Sequence, residues 1–202
     1  MTRSDTFRII GGSLKNRPLK SPKGEQTRPT LAVMRKAVFD ILHNRIEGAC
    51  FLDLYAGTGA IGLEALSRGA FHATFVETNR LALHCIEENF RNLKVESQCT
   101  LIGYDCFLAL KKLVKENQHF DIAYADPPYA AASRLNLLQE ILTFFDNHPL
   151  LNNEGTLFLE EAAPPTLKPE TIPLTHLQHV DTRSFSRSAL HQFRMSGYTA
   201  KS

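Results

Sequence analysis

Long apolar runs, paired cysteines and internal repeats are all missing from this 202-residue chain. No stretch approaches about 18 uninterrupted apolar residues, so no transmembrane helix is expected. The opening Met1-Thr2-Arg3-Ser4-Asp5-Thr6 leads into no long apolar segment, so no secretory leader is expected either. Four cysteines (Cys50, Cys85, Cys99, Cys106) are scattered, with no CxxC pair and no metal-ligand spacing. They read as reduced thiols of a cytoplasmic protein that holds no metal. There is no low-complexity tract. A chain of this length buries one good core, so one domain with a short appendage is expected.

What is present is an uneven charge. Residues 1–35 carry eight bases (Arg3, Arg8, Lys15, Arg17, Lys20, Lys23, Arg28, Arg35) against two acids (Asp5, Glu25), a net of +6. The whole chain is only +2, so the remainder carries −4. A basic arm on a mildly acidic body points to a polyanionic partner.

Within that arm, Phe7-Arg8-Ile9-Ile10-Gly11-Gly12 and Leu14-Lys15-Asn16-Arg17-Pro18-Leu19 read as two short extended pieces around a Gly-Gly or Lys-Asn turn. Thr30 is placed to cap a helix reaching Leu42, since Leu31, Met34, Val38, Ile41 and Leu42 recur at helical spacing.

From residue 50 the pattern alternates. Strands are expected at 50–54, 73–77, 98–102, 120–125 and 156–160, with helices over 61–66, 81–93, 107–116 and 135–145 between them. Strands separated by helices imply a parallel sheet covered on both faces. The tail breaks the rhythm: 178–183 and 190–195 flank a Ser/Arg-rich turn and read as an antiparallel pair. The expected fold is α/β, a seven-stranded and mostly parallel sheet ending in an antiparallel hairpin. The basic arm takes residues 1–30 and the sheet domain 31–202.

The first strand runs into Asp53-Leu54-Tyr55-Ala56-Gly57-Thr58-Gly59-Ala60-Ile61-Gly62. Glycines here let backbone approach a ligand closely, and the start of the following helix offers free N–H groups to an anion. Gly57-x-Gly59-x-x-Gly62 also matches the dinucleotide fingerprint, so the glycines alone leave the cofactor open. Asp53 discriminates: a carboxylate there repels a pyrophosphate but suits a cationic amino-acid moiety. Glu77, at the end of the second strand, is placed to accept from ribose hydroxyls. Asp105, after the third strand, either accepts from an adenine amino group or caps the helix at Cys106.

Asp126-Pro127-Pro128-Tyr129 follows the fourth strand directly. Two prolines remove two backbone donors and stiffen the chain at the carboxyl edge, where ligands bind in such sheets. An exocyclic base amine is a poor nucleophile because its lone pair is conjugated with the ring. The Asp126 carboxylate and the Pro127 carbonyl can accept its two hydrogens and leave the lone pair aimed at an electrophilic methyl. Tyr129 offers a face on which an extruded base can stack.

These two turns together resemble those of the class I amino-methyltransferases. Arg8-Ile9-Ile10-Gly11-Gly12, Arg28-Pro29-Thr30, Arg35, Phe39 and the run Gly62 to Ala70 narrow the resemblance to the bacterial 16S rRNA guanine-N2 methyltransferases, over about residues 8 to 195. The resemblance implies a Rossmann-like sheet and S-adenosylmethionine as methyl donor, held by Asp53, Tyr55, Ala56, Gly57, Thr58, Gly59 and Glu77. It implies that Asp126, Pro127, Pro128 and Tyr129 hold the target guanine. Arg8, Lys15, Arg17, Arg28 and Arg35 would meet RNA in the 30S subunit or its assembly intermediate, with the protein a monomer. The tail turn Ser184-Phe185-Ser186-Arg187-Ser188 departs from the family's Tyr-Gly-containing hairpin.

Two rivals stand beside this reading. An adenine-N6 methyltransferase would use the same turns, but its usual target-recognition insertion has no room here. A nicotinamide-dependent oxidoreductase would use the glycines yet leave Asp53 and the Asp-Pro-Pro-Tyr turn without a task.

Overall fold

Seven strands, β1 (Cys50–Leu54), β2 (His72–Val76), β3 (Cys99–Ile102), β4 (Phe120–Ala125), β5 (Leu151–Ala162), β6 (Leu177–Ser184) and β7 (Ser188–Met195), make one sheet in the order β3-β2-β1-β4-β5-β7-β6. The computed structural model describes residues 7–22, 29–128 and 134–197, with the side chains of 29–31 and 134 left aside. Arg28 and Tyr129 lie outside the described residues. The chain divides into two compact units, 1–106 and 107–202.

In the first unit, α1 (Pro29–Ile41) precedes β1 (Cys50–Leu54), α2 (Ala60–Ser67), β2 (His72–Val76), α3 (Arg80–Leu93) and β3 (Cys99–Ile102). β1 pairs in parallel with β2, and β2 with β3, placing Leu54 beside Val76 and Val76 beside Ile102. All three strands therefore end at one edge, and the turns that follow them share it. Phe39, Phe51 and Phe75 fill the core, with Phe75 tilted against Phe90 at 4.9 Å. Thr30 does not cap α1. The helix starts at Pro29, whose fixed φ suits the first helical position, so Thr30 falls inside the first turn.

The N-terminal hairpin forms as a tight reversal over residues 13–16, with Asn16 at φ +69° and a single bridge between Arg8 and Pro18. Pro18 has no N–H to extend a ladder. The Gly11-Gly12 pair is not the turn. It lies flat on α2, where a Cβ at Gly12 would stand 1.8 Å from the Ser67 carbonyl.

In the second unit, α4 (Cys106–Lys115, entered from the last residue of the first unit) leads to β4 (Phe120–Ala125), α5 (Arg134–Asn147), β5 (Leu151–Ala162), β6 (Leu177–Ser184) and β7 (Ser188–Met195). β4 and β5 are parallel; β7 is antiparallel to both β5 and β6. β5 is longer than its apolar stretch because Leu151 pairs with Phe120 across a register shift, carrying the polar Asn152-Asn153-Glu154 into the strand. Phe145, Phe158 and Phe193 are fully buried here. Among the described residues no helix is long and apolar enough to cross a membrane.

Candidate active site

The turn after β1 is built by backbone conformations that a side chain disfavours. Tyr55, Gly57 and Gly59 have φ of +57°, +55° and +75°. Gly59 sits at the N-cap of α2 and offers no side chain to its amides. Asp53 replaces it from below: its carboxylate accepts the Gly62 amide at 2.9 Å. The third glycine of the fingerprint thus serves packing, since a Cβ there would meet the Phe75 ring at 2.3 Å. At Gly57 the opposite holds: an added Cβ would meet nothing within 4 Å, so space lies open beside the turn. Tyr55, Ala56, Gly57 and Thr58 are all partly exposed and form the rim of that space.

Asp53 is only 1% exposed. Burial drives its carboxyl up to about 8, the Gly62 bond working against the shift and nearby Glu77 adding to it. Without a cation beside it, Asp53 is therefore mostly neutral at pH 7. Glu77 stands one residue beyond β2 and gathers amides: Gly57 at 2.8 Å on one oxygen, Thr78 at 2.7 Å and Asn79 at 2.8 Å on the other. It locks the glycine turn to the β2–α3 turn. Three of the carboxylate's roughly four lone-pair sites are thus taken, and Oε2 keeps one for a further donor.

Asp105 is exposed at the residue before α4, as expected of a cap and equally reachable by a ligand. Tyr55 hydrogen-bonds the Cys106 thiol, so the glycine turn also touches the end of the β3 turn. Burial pushes that thiol up to about 12, which keeps it an inert hydrogen-bonding group.

In the second unit, Asp126 is half-buried immediately after β4, Pro127 is buried and Pro128 is exposed. Ala125 pairs with Leu159 of β5, so Asp126 leaves the sheet at the carboxyl end of β4, beside the last residues of its parallel neighbour β5. Below it the Tyr124 hydroxyl donates to the buried Glu160 carboxylate, which fixes the strand end.

The basic arm divides into exposed and committed cations. Lys15 is exposed, and Arg8 is exposed but donates to the Asn16 carbonyl at 2.7 Å. Arg17 is exposed but donates to the Asn92 carbonyl at 2.6 Å, and Lys20 pairs with Glu88. Arg35 is not available to a polyanion in this arrangement. It is 2% exposed, donates to the Arg8 carbonyl at 2.8 Å, and lies 3.9 Å from Glu64 and 4.9 Å from the Phe7 ring. Burial depresses its pKa, Glu64 opposing. Its periodic position on α1 faces the core, and that is why it is covered.

Two residues that sequence reasoning passed over organise this unit. Glu64 is buried on α2 and accepts the Ile10 amide at 2.8 Å and Arg68 at 2.8 Å. Asn89 is buried on α3; it accepts the Lys20 amide and donates to the Lys20 and Thr58 carbonyls, at 2.7, 3.0 and 3.1 Å. The available signal was a polar residue on an apolar helix face, between Ile86 and Phe90.

Among the described residues no group of side chains could hold a metal ion. A family model described as Conserved hypothetical protein 95 matches residues 7–194. The chain is 30% identical over 188 residues to the YlbH protein of Bacillus subtilis strain 168, covering 93% of this chain and 100% of that one. It is 32% identical over 157 residues to Ribosomal RNA small subunit methyltransferase D of Escherichia coli strain K12, covering 78% of this chain and 75% of that protein. Among solved structures, the yhhF protein from Escherichia coli is similar at a TM-score of 0.78 and 26% identity, covering 95% of this chain and 98% of that one.

Proposed function

The chain belongs to the Conserved hypothetical protein 95 family, and on that premise we propose that it is an S-adenosylmethionine-dependent enzyme methylating the exocyclic N2 of a guanine in 16S ribosomal RNA. Its setting is the cytoplasm, its substrate the 30S subunit or an assembly intermediate, and it works as a monomer. Residues 1–30 serve as the RNA-engaging arm and 31–202 as the catalytic domain.

The observation that carries this reading is the placing of acids at strand ends. Glu77 directly after β2 holds the turn beside which space lies open at Gly57, and Asp126 directly after β4 stands on a proline-stiffened turn. The donor set fits the cofactor. Glu77 would receive a ribose hydroxyl on Oε2, the first amides of α2 would receive the methionine carboxylate, and Asp53 would balance the cationic amino-acid end. Tyr55, Ala56, Thr58 and Gly59 complete that wall, and Asp105 reaches the adenine amino group. When bound, S-adenosylmethionine supplies a methyl group activated by a sulfonium centre.

The chain's part in the reaction is positioning. Asp126 accepts one hydrogen of the guanine amine and the Pro127 carbonyl the other, Pro128 keeps the turn rigid, and Tyr129 stacks on the extruded base. With both hydrogens engaged, the nitrogen lone pair would be held out of conjugation, ready to take the methyl as the sulfur–methyl bond breaks and the donor leaves as a neutral thioether. Asp126 then holds the proton that the alkylated nitrogen must lose. Arg8, Lys15, Arg17 and Arg28 meet phosphates.

The test is transfer of a tritiated methyl group to 30S particles, naked 16S rRNA and duplex DNA, followed by digestion to nucleosides. N2-methylguanosine from RNA is the expected product. Label in N6-methyladenosine, or in DNA alone, would replace the proposed substrate.

A further inference from the structure

The β6–β7 connection reads Arg183-Ser184-Phe185-Ser186-Arg187: a half-buried aromatic between two hydroxyls, flanked by two guanidinium groups. We propose that this turn is a second RNA-contacting element, gripping the single-stranded segment beside the target guanine. The inference rests on the RNA-methyltransferase reading above and adds a surface to it.

Position is the first argument. Ala125 is level with Leu159 on β5, and Ala162 is level with Ser188 on β7. The turn thus leaves the sheet at the same edge as Asp126, two strands over and a few residues further along. Strand spacing and rise put the two roughly 12 Å apart. A guanine held at Asp126 therefore leaves its neighbouring nucleotides within reach of the turn.

Rigidity is the second. The Phe185 amide donates to the Ser188 carbonyl at 2.7 Å, closing the turn, and the Ala163 amide donates to the Arg187 carbonyl at 3.0 Å, tying it to the end of β5. Beneath it runs a line of hydrogen-bonded side chains. Glu161 and His191 are 3.0 Å apart, His191 and Thr182 2.9 Å, and Thr182 and His179 2.8 Å. A turn fixed before binding loses little freedom on binding.

Charge is the third. Ser184, Ser186, Arg183 and Arg187 are exposed. The turn itself carries no acid. Arg183 meets Asp181 at 3.0 Å, a half-exposed pair that phosphate can displace at small cost. The neighbouring Glu160 and Glu161 are buried and engaged with Tyr124, Thr166 and His191, so neither carboxylate stands on the surface that an approaching strand would meet. Arginines and serines bind phosphate oxygens, and the face of Phe185 offers a stacking surface for a base without selecting its sequence.

The experiment compares wild type with the R183A/R187A and R183K/R187K proteins, reading affinity for naked 16S rRNA against salt, steady-state kinetics on 30S particles, cofactor affinity and melting temperature. Loss of two phosphate contacts should shrink the salt slope of the alanine protein by about 1.4 and weaken RNA binding roughly tenfold at low salt. KM for RNA should rise, with kcat and cofactor affinity within about twofold of wild type. The lysine protein should recover most of the slope, because lysine also meets phosphate as a point charge. An alanine protein with wild-type affinity and slope overturns the inference, as does one whose only change is a lower melting temperature. A wild type that transfers no methyl to any RNA would instead overturn the reading on which it rests.

Discussion

Asp53 and Gly62 are joined by a 2.9 Å hydrogen bond that carries the end of β1 onto the first turn of α2. The bond makes a buried carboxyl part of the helix start, in place of the side-chain cap that Gly59 lacks. A group held there gives the turn its shape and also makes it sensitive to protons.

Asp53 should therefore leave a pH signature. Its carboxyl is raised from 3.8 to about 8, so between those values the folded protein holds a proton that the unfolded chain has lost. The Asp53 contribution to stability is full below about pH 4 and falls as pH rises through 8, by up to about 1.4 kcal/mol per unit. Urea unfolding from pH 5 to 9 should show D53N losing less stability than wild type. Cofactor binding should release up to one proton near pH 7, measured calorimetrically in buffers of different ionisation enthalpy; binding with no proton release would remove Asp53 from the cationic end of the ligand.

Glu77→Ala should cost the cofactor more than the fold. Three amides lose their acceptor at the rim of the turn, two of them on exposed backbone that water can satisfy. Loss of charge-assisted bonds predicts S-adenosylmethionine affinity down by about ten- to hundredfold, measured by titration calorimetry.

Asp126→Ala should cripple transfer while leaving cofactor affinity near wild type, because the proposed function gives this residue the target base and not the cofactor. A loss of about 10²- to 10⁴-fold in kcat is expected, read by methyl incorporation at saturating cofactor. Lost cofactor binding in this variant would mean the residue has been given the wrong task.

Arg35 and Lys15 should separate cleanly. Removing Lys15, an exposed cation, should lower the salt slope of RNA binding by about 0.7 to 0.9 without moving the melting temperature. Arg35→Met should leave the slope alone and destabilise by about 2 kcal/mol, since it strips buried Glu64 of one of two cationic neighbours. A changed slope in Arg35→Met would place this arginine on RNA after all.

Gly12→Ala tests how the arm is seated. Its φ of +76° disfavours a side chain, and the new methyl would meet the Ser67 carbonyl. A cost of about 2–3 kcal/mol is expected, with faster proteolysis between residues 7 and 22. An unchanged digestion pattern would show that the arm docks by other contacts.

Much of this was legible in the sequence because its signals are local. β1 and β4 begin and end where the apolar runs do, and α2 and α3 lie within one residue of their periodic stretches at either end. The strand-end acids were legible for the same reason: each stands one residue past an apolar run. Tertiary choices were not. Arg35 reads as one more base in a basic arm, and only packing makes it the covered partner of Glu64. The length of β5 depended on a register shift against β4, which no pattern within residues 151–162 announces. Asn89 was hidden because its three partners, at Lys20 and Thr58, are distant in sequence.

Asn89 gives the first unit a property that neither of its ends has alone. One side chain holds both the Lys20 backbone and the Thr58 carbonyl, so a shift of the arm at Lys20 must be felt at the glycine turn. Under the proposed function the arm meets RNA and the turn meets the cofactor, so any coupling between the two affinities that runs through this anchor should change in Asn89→Ala.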